Sequence, residues 1–514
     1  MDKRLILAVV LTLLVFLCWT FVVSKFFIVE NKEVTSQKAA DSSKAQIQAS
    51  FEISKAESLV QPPIKQGPLE ESIIETNNII HNIIFNEPDA TVKRVIFPKY
   101  QSYDFELGKG FLLKNFFLPF KKISSTENSI TFAAQDKNKK IIKEFSYSKV
   151  NYYMELDISV ENLTDNEVPL DLDLQAATLS FKHNNEQERF QDILFALEEK
   201  DVRANGRKDG VYDEVRFLGW RDRYFCGIIQ PELSHYSAIT KSTKNVGSDI
   251  VLDLPETKLL PRQIYKEKFR IYLGPQDLNS IMSVNTAWSP IIHYGTFDFI
   301  SQILSQFINF LHSFSHNWGI AIILFSFAIY LILYPLTLKQ MKSMKEMQIL
   351  QPKLEELKVT YKDNPQKLNK EIMELYKIHK VNPFGGCLPL ILQLPIFFAL
   401  YQLLMRSVHL KGAKFLWIND LSMPDRLGLP FALPVIGDKI NILPIFMALI
   451  MFFQQKLSSF NMGSTSNEQQ KMMAIIMPLM FGFFFYNMPA GLVLYWSINS
   501  TLTFLYQLKV NRSK

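Results

Sequence analysis

The sequence predicts a bundle of membrane-spanning helices joined to one large all-β domain held outside the cytoplasm. Three observations predict it. Six long uncharged runs punctuate the chain, a strand-like alternation fills the interval between the first and second, and lysines gather on one side of the runs. The chain has 514 residues, too many for one typical core, and 48% of them are hydrophobic, with 41 phenylalanines. A net charge of +6 is too mild over this length to select nucleic acid.

The first run, Leu5 to Val23, follows Lys3 and Arg4 and is long enough to cross a hydrocarbon core. Neither an A-x-A cleavage site nor a lipoprotein cysteine follows, so residues 1–29 read as an uncleaved signal anchor. Residues 30–80 are rich in Lys, Ser, Gln and Glu, carry Gln61-Pro62-Pro63, and read as a flexible linker.

From 81 to 290 the pattern is that of strands. Met154, Leu156, Ile158 and Val160 alternate with polar neighbours, Thr164-Asp165-Asn166 supplies a turn, and Leu170, Leu172 and Leu174 resume the alternation. A late strand covers Tyr265 to Leu273 and stops at Gly274-Pro275. Short strands with turn signals indicate an antiparallel β-sandwich, read here as a structural or docking domain. Of the three cysteines, Cys18 and Cys387 lie in or at apolar runs, leaving Cys226 with no partner for a disulfide.

Residues 291–317 carry Phe297, Ile300, Leu304, Phe307, Leu311 and Phe314 at helical spacing, with Ser301, Gln302, Ser305, Gln306 and Asn309 between them. That is an amphipathic helix, either lying along the membrane surface or packed on the β domain. Beyond it come the runs Gly319–Leu338, Cys387–Met405, Ile442–Phe453, Met472–Met488 and Gly491–Leu508. Ile442–Phe453 is short enough to be re-entrant by length alone, but parity favours six spans with both termini on one side. Lys3, Arg4, Lys509 and Arg512 then place both termini in the cytoplasm, as does the lysine-rich stretch from Lys339 to Lys380. The loop Arg406–Asn441 fits less well, because Arg406, Lys411, Lys414, Arg426 and Lys439 would lie outside.

Residues 339–382 read as a helical hairpin. Met341, Met344, Met347, Leu350, Leu354 and Leu357 form a stripe, and Asp363-Asn364-Pro365 breaks it before a second helix. The three methionines are either the seam of the hairpin or an adaptable contact surface for hydrophobic clients.

The sequence shows no phosphate-binding loop, H-E-x-x-H or G-x-S-x-G, and no charge falls inside the apolar runs. Pumps, proton-coupled transporters and intramembrane metalloproteases need such groups. No catalytic residue, metal ligand or cofactor is expected, and the chain does not read as an enzyme.

Several motifs carry a resemblance. Tyr334-Pro335-Leu336-Thr337, Gln348-x-x-Gln351-Pro352, Val381-Asn382-Pro383-x-Gly385-Gly386-Cys387-Leu388-Pro389 and Gln393-x-Pro395-Ile396-Phe397 come first. Trp417-Ile418-x-Asp420-Leu421, Phe452-x-Gln454-Gln455-Lys456 and Pro489-Ala490-Gly491-Leu492-Val493-Leu494-Tyr495-Trp496 follow, in an order that resembles the YidC family of membrane-protein insertases. In the exported part, Gly219-Trp220 with Asp222-Arg223-Tyr224-Phe225 resembles it too.

The resemblance implies a five-helix insertase core at 318–514, preceded by an anchor helix and a periplasmic β-supersandwich in the inner membrane of a bacterium. It implies a groove open to cytoplasm and lipid, lined here by Ser326, Tyr330, Gln393, Trp496 and Asn499. It further implies nascent membrane proteins as clients, the Sec translocon and its accessory subunits as partners, the ribosome as a further candidate partner, and the lipid bilayer as the medium. Tyr330 stands where family members usually carry arginine or lysine, about 13 Å into the membrane from Lys339 by helix rise. A channel or uncoupled transporter with a periplasmic recognition domain is the alternative, and an envelope scaffold a third reading.

Overall fold

The computed structural model describes residues 72–512, save 77, 182–187, 233–235, 244–245, 363, 380, 382–387, 434–436 and 461–467. The anchor run and nearly all of the linker lie outside the described residues. The strand Ile73–Glu75 falls within the stretch read as linker and pairs with Asn82–Asn86; three residues are too few to display a period.

Strands from Ile73 to Pro275 build two large antiparallel sheets around one core, with a separate two-stranded pair of Val168–Leu170 and Thr257–Leu259. Four strands between Ile73 and Gly110 form the smaller sheet, and thirteen between Leu112 and Pro275 form the larger. The strand Tyr153–Asn162 shows why alternation predicts burial here. Met154, Leu156, Ile158 and Val160 are buried, while the side chains between them are only half-covered. Asn162 ends it, its amide donating to Asn166 O and Leu259 O at 2.8 and 3.1 Å. Its carbonyl oxygen accepts from Thr164 N at 2.9 Å, which holds the turn read from Thr164-Asp165-Asn166.

Aromatic side chains join the sheets. Phe225 stacks on Phe97 at 4.1 Å and on Tyr103 at 4.8 Å, and Phe85 packs on Phe132 and Phe145. Trp220 is buried over Gly227, where an added Cβ would come within 2.2 Å of the indole. Only glycine fits that approach.

One charge is sealed in this core. Lys143 is fully buried and donates to the carbonyls of Ala90 and Phe111, at 2.6 Å for the second. Both acceptors sit at positive φ, 46° and 63°, so the ammonium fixes two strained turns of the smaller sheet's chain. Burial pulls its pKa down to about 7.

After Pro275 the chain turns helical. After the short helix Leu278–Met282, its longer helices are α1 (Asp298–Ser315), α2 (Trp318–Thr360), α3 (Pro365–Ile378), α4 (Leu388–Arg406), α5 (Ile442–Phe460), α6 (Glu468–Phe485) and α7 (Ala490–Arg512). Asn317 caps α2 by accepting from Gly319 N and Ile320 N, and α2 then runs unbroken through Pro335 and Pro352. Asn364 caps α3, with Pro365 in its first turn. Among the described residues, Trp318–Leu338 is long and apolar enough to cross a membrane, and Ile442–Leu457 and Ile475–Phe485 are shorter apolar stretches.

The unfolded chain binds a proton at lysine up to about pH 10.4, whereas folded Lys143 releases it near 7. Between those values the unfolded state holds more protons, so β-domain stability rises with pH, by about 3 kcal/mol from pH 7 to 9.5. Thermal melts of wild type and Lys143→Met should show that rise in the first and its loss in the second. Parallel pH profiles would contradict it.

Candidate functional site

The last helix collects the others. Tyr495 on α7 meets Phe325 on α2 at 6.1 Å, and Tyr506 meets Tyr334 at 5.4 Å. Trp496 packs edge-on against Phe397 of α4 at 4.9 Å and lies against Phe485 and Phe481 of α6. Phe504 approaches Phe453 of α5 at 6.4 Å. Ala490 N and Gly491 N donate to Met423 O and Leu421 O, which pins the start of α7 to the loop after α4.

The structure gives the five groove residues unequal settings. Ser326 is fully buried and its hydroxyl donates to Ile322 O at 2.7 Å, one turn back along α2. Asn499 donates to Tyr495 Oη at 3.1 Å, within α7. Both side chains are satisfied locally. Gln393 is half-buried on α4, one turn before Phe397 and so on the flank where Trp496 packs. Tyr330 is the exception: its hydroxyl oxygen is buried and meets no protein hydrogen-bond partner. Its ring lies 6.2 Å from Tyr334. Met341, Met344 and Met347 lie in the backbone of α2, but their side chains are outside the described residues.

Tyr330 has company that the sequence reading missed. Gln507 Oε1 and Ser497 Oγ are likewise buried without a protein partner. Tyr334 and Tyr506 thus gather with Tyr330 in the half of the bundle remote from the β domain, and Gln507 follows Tyr506 in the chain. A signal existed: Tyr495, Asn499, Leu502 and Tyr506 recur at i, i+4, i+7 and i+11, one face of a helix.

At the other end a polar joint ties the β domain to the helices. Arg221, buried, grips Asp192 through two bonds of 2.5 Å and donates to His293 O at 2.7 Å. Burial works against the Asp192 charge, but Arg221 and Arg203 hold its pKa below the usual carboxylate value. Asp222 accepts from Tyr224 N, Phe225 N and the Tyr103 hydroxyl, turning the chain so that Arg223 donates to Met405 O at 2.7 Å. The guanidinium groups of Arg223 and Arg406 both lie over the Phe190 ring, at 5.2 and 5.1 Å. Trp318, at the start of α2, is stacked on His312 and His409. His409 reaches Asp277 at 3.1 Å; although burial opposes the Asp277 charge, this bond helps hold its pKa down to about 2.

Helix α1 sits in this joint with three different faces. Leu304 and Ile308 are buried in the helical core, and the Ser301 hydroxyl donates to Ala399 O of α4 at 3.0 Å. Gln302 and Gln306 line a cavity of about 760 Å³ with Asp277, His293, Arg406 and His409. Phe299, Phe310 and Phe314 are exposed. The helix therefore packs on α2 and α4 while leaving a second apolar face outward.

Comparison with known proteins agrees with these two halves. A model of the 60Kd inner membrane protein family matches residues 310–514, and one of the YidC periplasmic domain matches 120–307. A "Membrane protein insertase YidC" of Syntrophobacter fumaroxidans is 33% identical over 385 residues, 73% of this chain and 68% of that one. Another of that name, from Pelobacter propionicus, is 30% identical over 558 aligned positions, covering 100% of this chain and 99% of its own. Several others align over little more than half of their own length. A crystal structure titled as an active YidC insertase with its first transmembrane domain resolved covers 85% of this chain and 92% of its own, at 19% identity and a TM-score of 0.42.

Replacing Asp192 by Ala would leave buried Arg221 without its carboxylate, at a cost of about 3–5 kcal/mol. The expected result is a lower thermal midpoint and faster tryptic separation of the β domain from the helices. An unchanged digestion rate would show that the joint is held elsewhere.

Proposed function

The chain belongs to the YidC family of membrane protein insertases, and from that premise we propose that it admits hydrophobic segments of nascent proteins to the bilayer through a polar groove among α2, α4 and α7. It is an inner membrane protein with a periplasmic domain, and an insertase rather than an enzyme. The proposal adds six spans, both termini in the cytoplasm, and a groove open to the cytoplasm and to lipid. It works alone or beside the Sec translocon and its accessory subunits, with the ribosome as a further partner.

One observation carries this reading: among the described residues, four buried polar atoms of the helices, on Tyr330, Gln402, Ser497 and Gln507, lack protein partners within an apolar bundle. An unsatisfied polar group in hydrocarbon costs several kcal/mol, so such groups persist where water or a passing polar chain reaches them. Tyr330 lies 12 residues into α2, about 18 Å from its β-domain end by helix rise. A wet station at that depth shortens the dry path for a client's polar tail. Placing a charged side chain at the bilayer centre costs about 2.5–3.5 kcal/mol on insertion scales.

The client supplies the driving force, roughly −0.3 to −0.6 kcal/mol for each central Leu, Ile, Phe or Val. The short apolar stretches of α5 and α6 favour a locally thin bilayer, which lowers the barrier further. No fuel is required, because the protein changes the rate of entry and not its equilibrium. Ser326, Gln393, Trp496 and Asn499 line the groove with Tyr330, and Tyr334, Tyr506 and Gln507 extend it toward the cytoplasm. Met341, Met344 and Met347 meet the client before it enters.

With tyrosine in place of a fixed cation, the groove selects by polarity more than by charge. Proteoliposomes containing only this protein should protect a small single-span client from protease well above empty liposomes. Tyr330→Arg should speed a client with an acidic tail about fivefold, the effect of one added ion pair, and leave a neutral-tailed client unchanged. No protection by wild type would sink the insertase reading. Equal response of the two tails would sink the selection by polarity.

A further inference from the structure

Arg406 at the end of α4 and Lys411, Lys414, Arg426 and Lys439 in the loop before α5 place five cations on the β-domain side, an arrangement that charge bias alone would not favour. The structure accounts for two of them. Arg406 is taken up in the joint over Phe190, and Lys411 pairs with Asp420 at 3.4 Å. Arg426 and Lys439 have no side-chain partner among the described residues. Both line the mouth of one cavity of about 910 Å³ between α5 and α6.

The walls of that cavity are apolar. Ile445, Leu449 and Phe452 of α5 face Ile475, Leu479 and Phe483 of α6, and Leu479 and Phe483 are 65% and 86% exposed. Gly482 sets its floor, since a Cβ there would meet Ala448 Cβ at 3.0 Å. The groove is thus long, greasy and open along one side, with charge at one end only.

Arg426 is held at that end with care. Its backbone is at φ 34°, a conformation that costs an L-residue energy unless its surroundings impose it. Asn441 imposes it, accepting from Arg426 N at 2.9 Å and donating to Tyr486 O, near the end of α6, at 2.7 Å. The mouth lies at the periplasmic end of the bundle. The end of α4 touches the β domain through Arg223 and Met405, and the start of α5 is tied through Asn441 to the residue after α6. Asp438 shares the mouth, leaving it one net positive charge.

We propose that the α5–α6 groove binds one anionic phospholipid of the periplasmic leaflet, an acyl chain along the groove and its phosphate against Arg426 and Lys439. The complementarity is specific: apolar length for a chain, then a mouth of net charge +1 for a monoanionic headgroup. A client helix would need no cation there, and a second copy of this chain would bring the same positive mouth against itself. The bound lipid would also fill the space beside the two shortest apolar helices, where the bilayer has least thickness to seal them.

The test is native mass spectrometry of the detergent-purified full chain, titrated in separate runs with phosphatidylglycerol and with phosphatidylcholine of the same chains. Wild type should retain one phosphatidylglycerol about tenfold more tightly than phosphatidylcholine, and Arg426→Gln with Lys439→Gln should erase that preference. Both residues are exposed, so an unchanged melting profile will verify that the double variant is folded. Leu449→Trp, which fills the groove without altering charge, should lower retention of both lipids. Equal retention of the two lipids by wild type would overturn the proposal, as would an undiminished preference in the double variant. Efficient disulfide formation between copies of Leu479→Cys in phosphatidylglycerol membranes would overturn it in favour of a self-contact.

Discussion

Trp496 and its neighbours on α7 form the contact on which the helical half depends. An apolar bundle in lipid gains nothing from hiding greasy surface among lipid tails, so its geometry rests on close packing and on the pairing of polar groups. Here the rings of Phe397, Phe481 and Phe485 converge on one indole, while Tyr495 and Tyr506 fix α2 alongside at two depths. With α4 and α6 held on the same residue, the space left among α2, α4 and α7 is set by ring size. Among the described residues, this packing leaves buried polar atoms of Tyr330, Gln402, Ser497 and Gln507 without a protein partner.

The β domain bears on the same helices from one end. Its contacts are directed and polar, from Arg221 (held by Asp192) to His293 O and from Arg223 to Met405 O, and they reach the end of α4 and the residues before α1. Trp318 then passes the constraint to α2 through its stack with His312 and His409. A rigid joint of this kind sets the depth of α2, and with it the depth of Tyr330. The deeply buried Lys143 is the corresponding staple within the β domain, tying the strained turns at Ala90 and Phe111 to the larger sheet.

Much of this was legible in the chain, for identifiable reasons. A strand buried on one face alternates, and Met154 to Val160 does so without a fault. Asn364 before Pro365 is a helix start by sterics alone, and the structure caps α3 with it. Three things were illegible. The strand Ile73–Glu75 is too short for a period, and α1 carries apolar residues on two faces, so its outward Phe310 reads like its inward Phe307. The joint draws on Phe190, Asp277, Trp318 and His409, residues far apart in sequence that no spacing rule connects. The polar station around Tyr330 was half legible: the tyrosine was visible by its position, but Tyr506 joins it only through the packing of α7 on α2.

The central claim is that water reaches Tyr330 from the cytoplasm. The direct measurement is cysteine labelling in inverted membrane vesicles with a membrane-impermeant maleimide, comparing Tyr330→Cys with Leu331→Cys. Leu331 is the next residue on the same helix and is 68% exposed on the bundle's outer surface, where lipid would shield it. Rapid labelling at 330 with none at 331 is the result predicted for a hydrated groove. Protection at 330 equal to that at 331 would mean a dry bundle, and would contradict entry of polar client segments by this route.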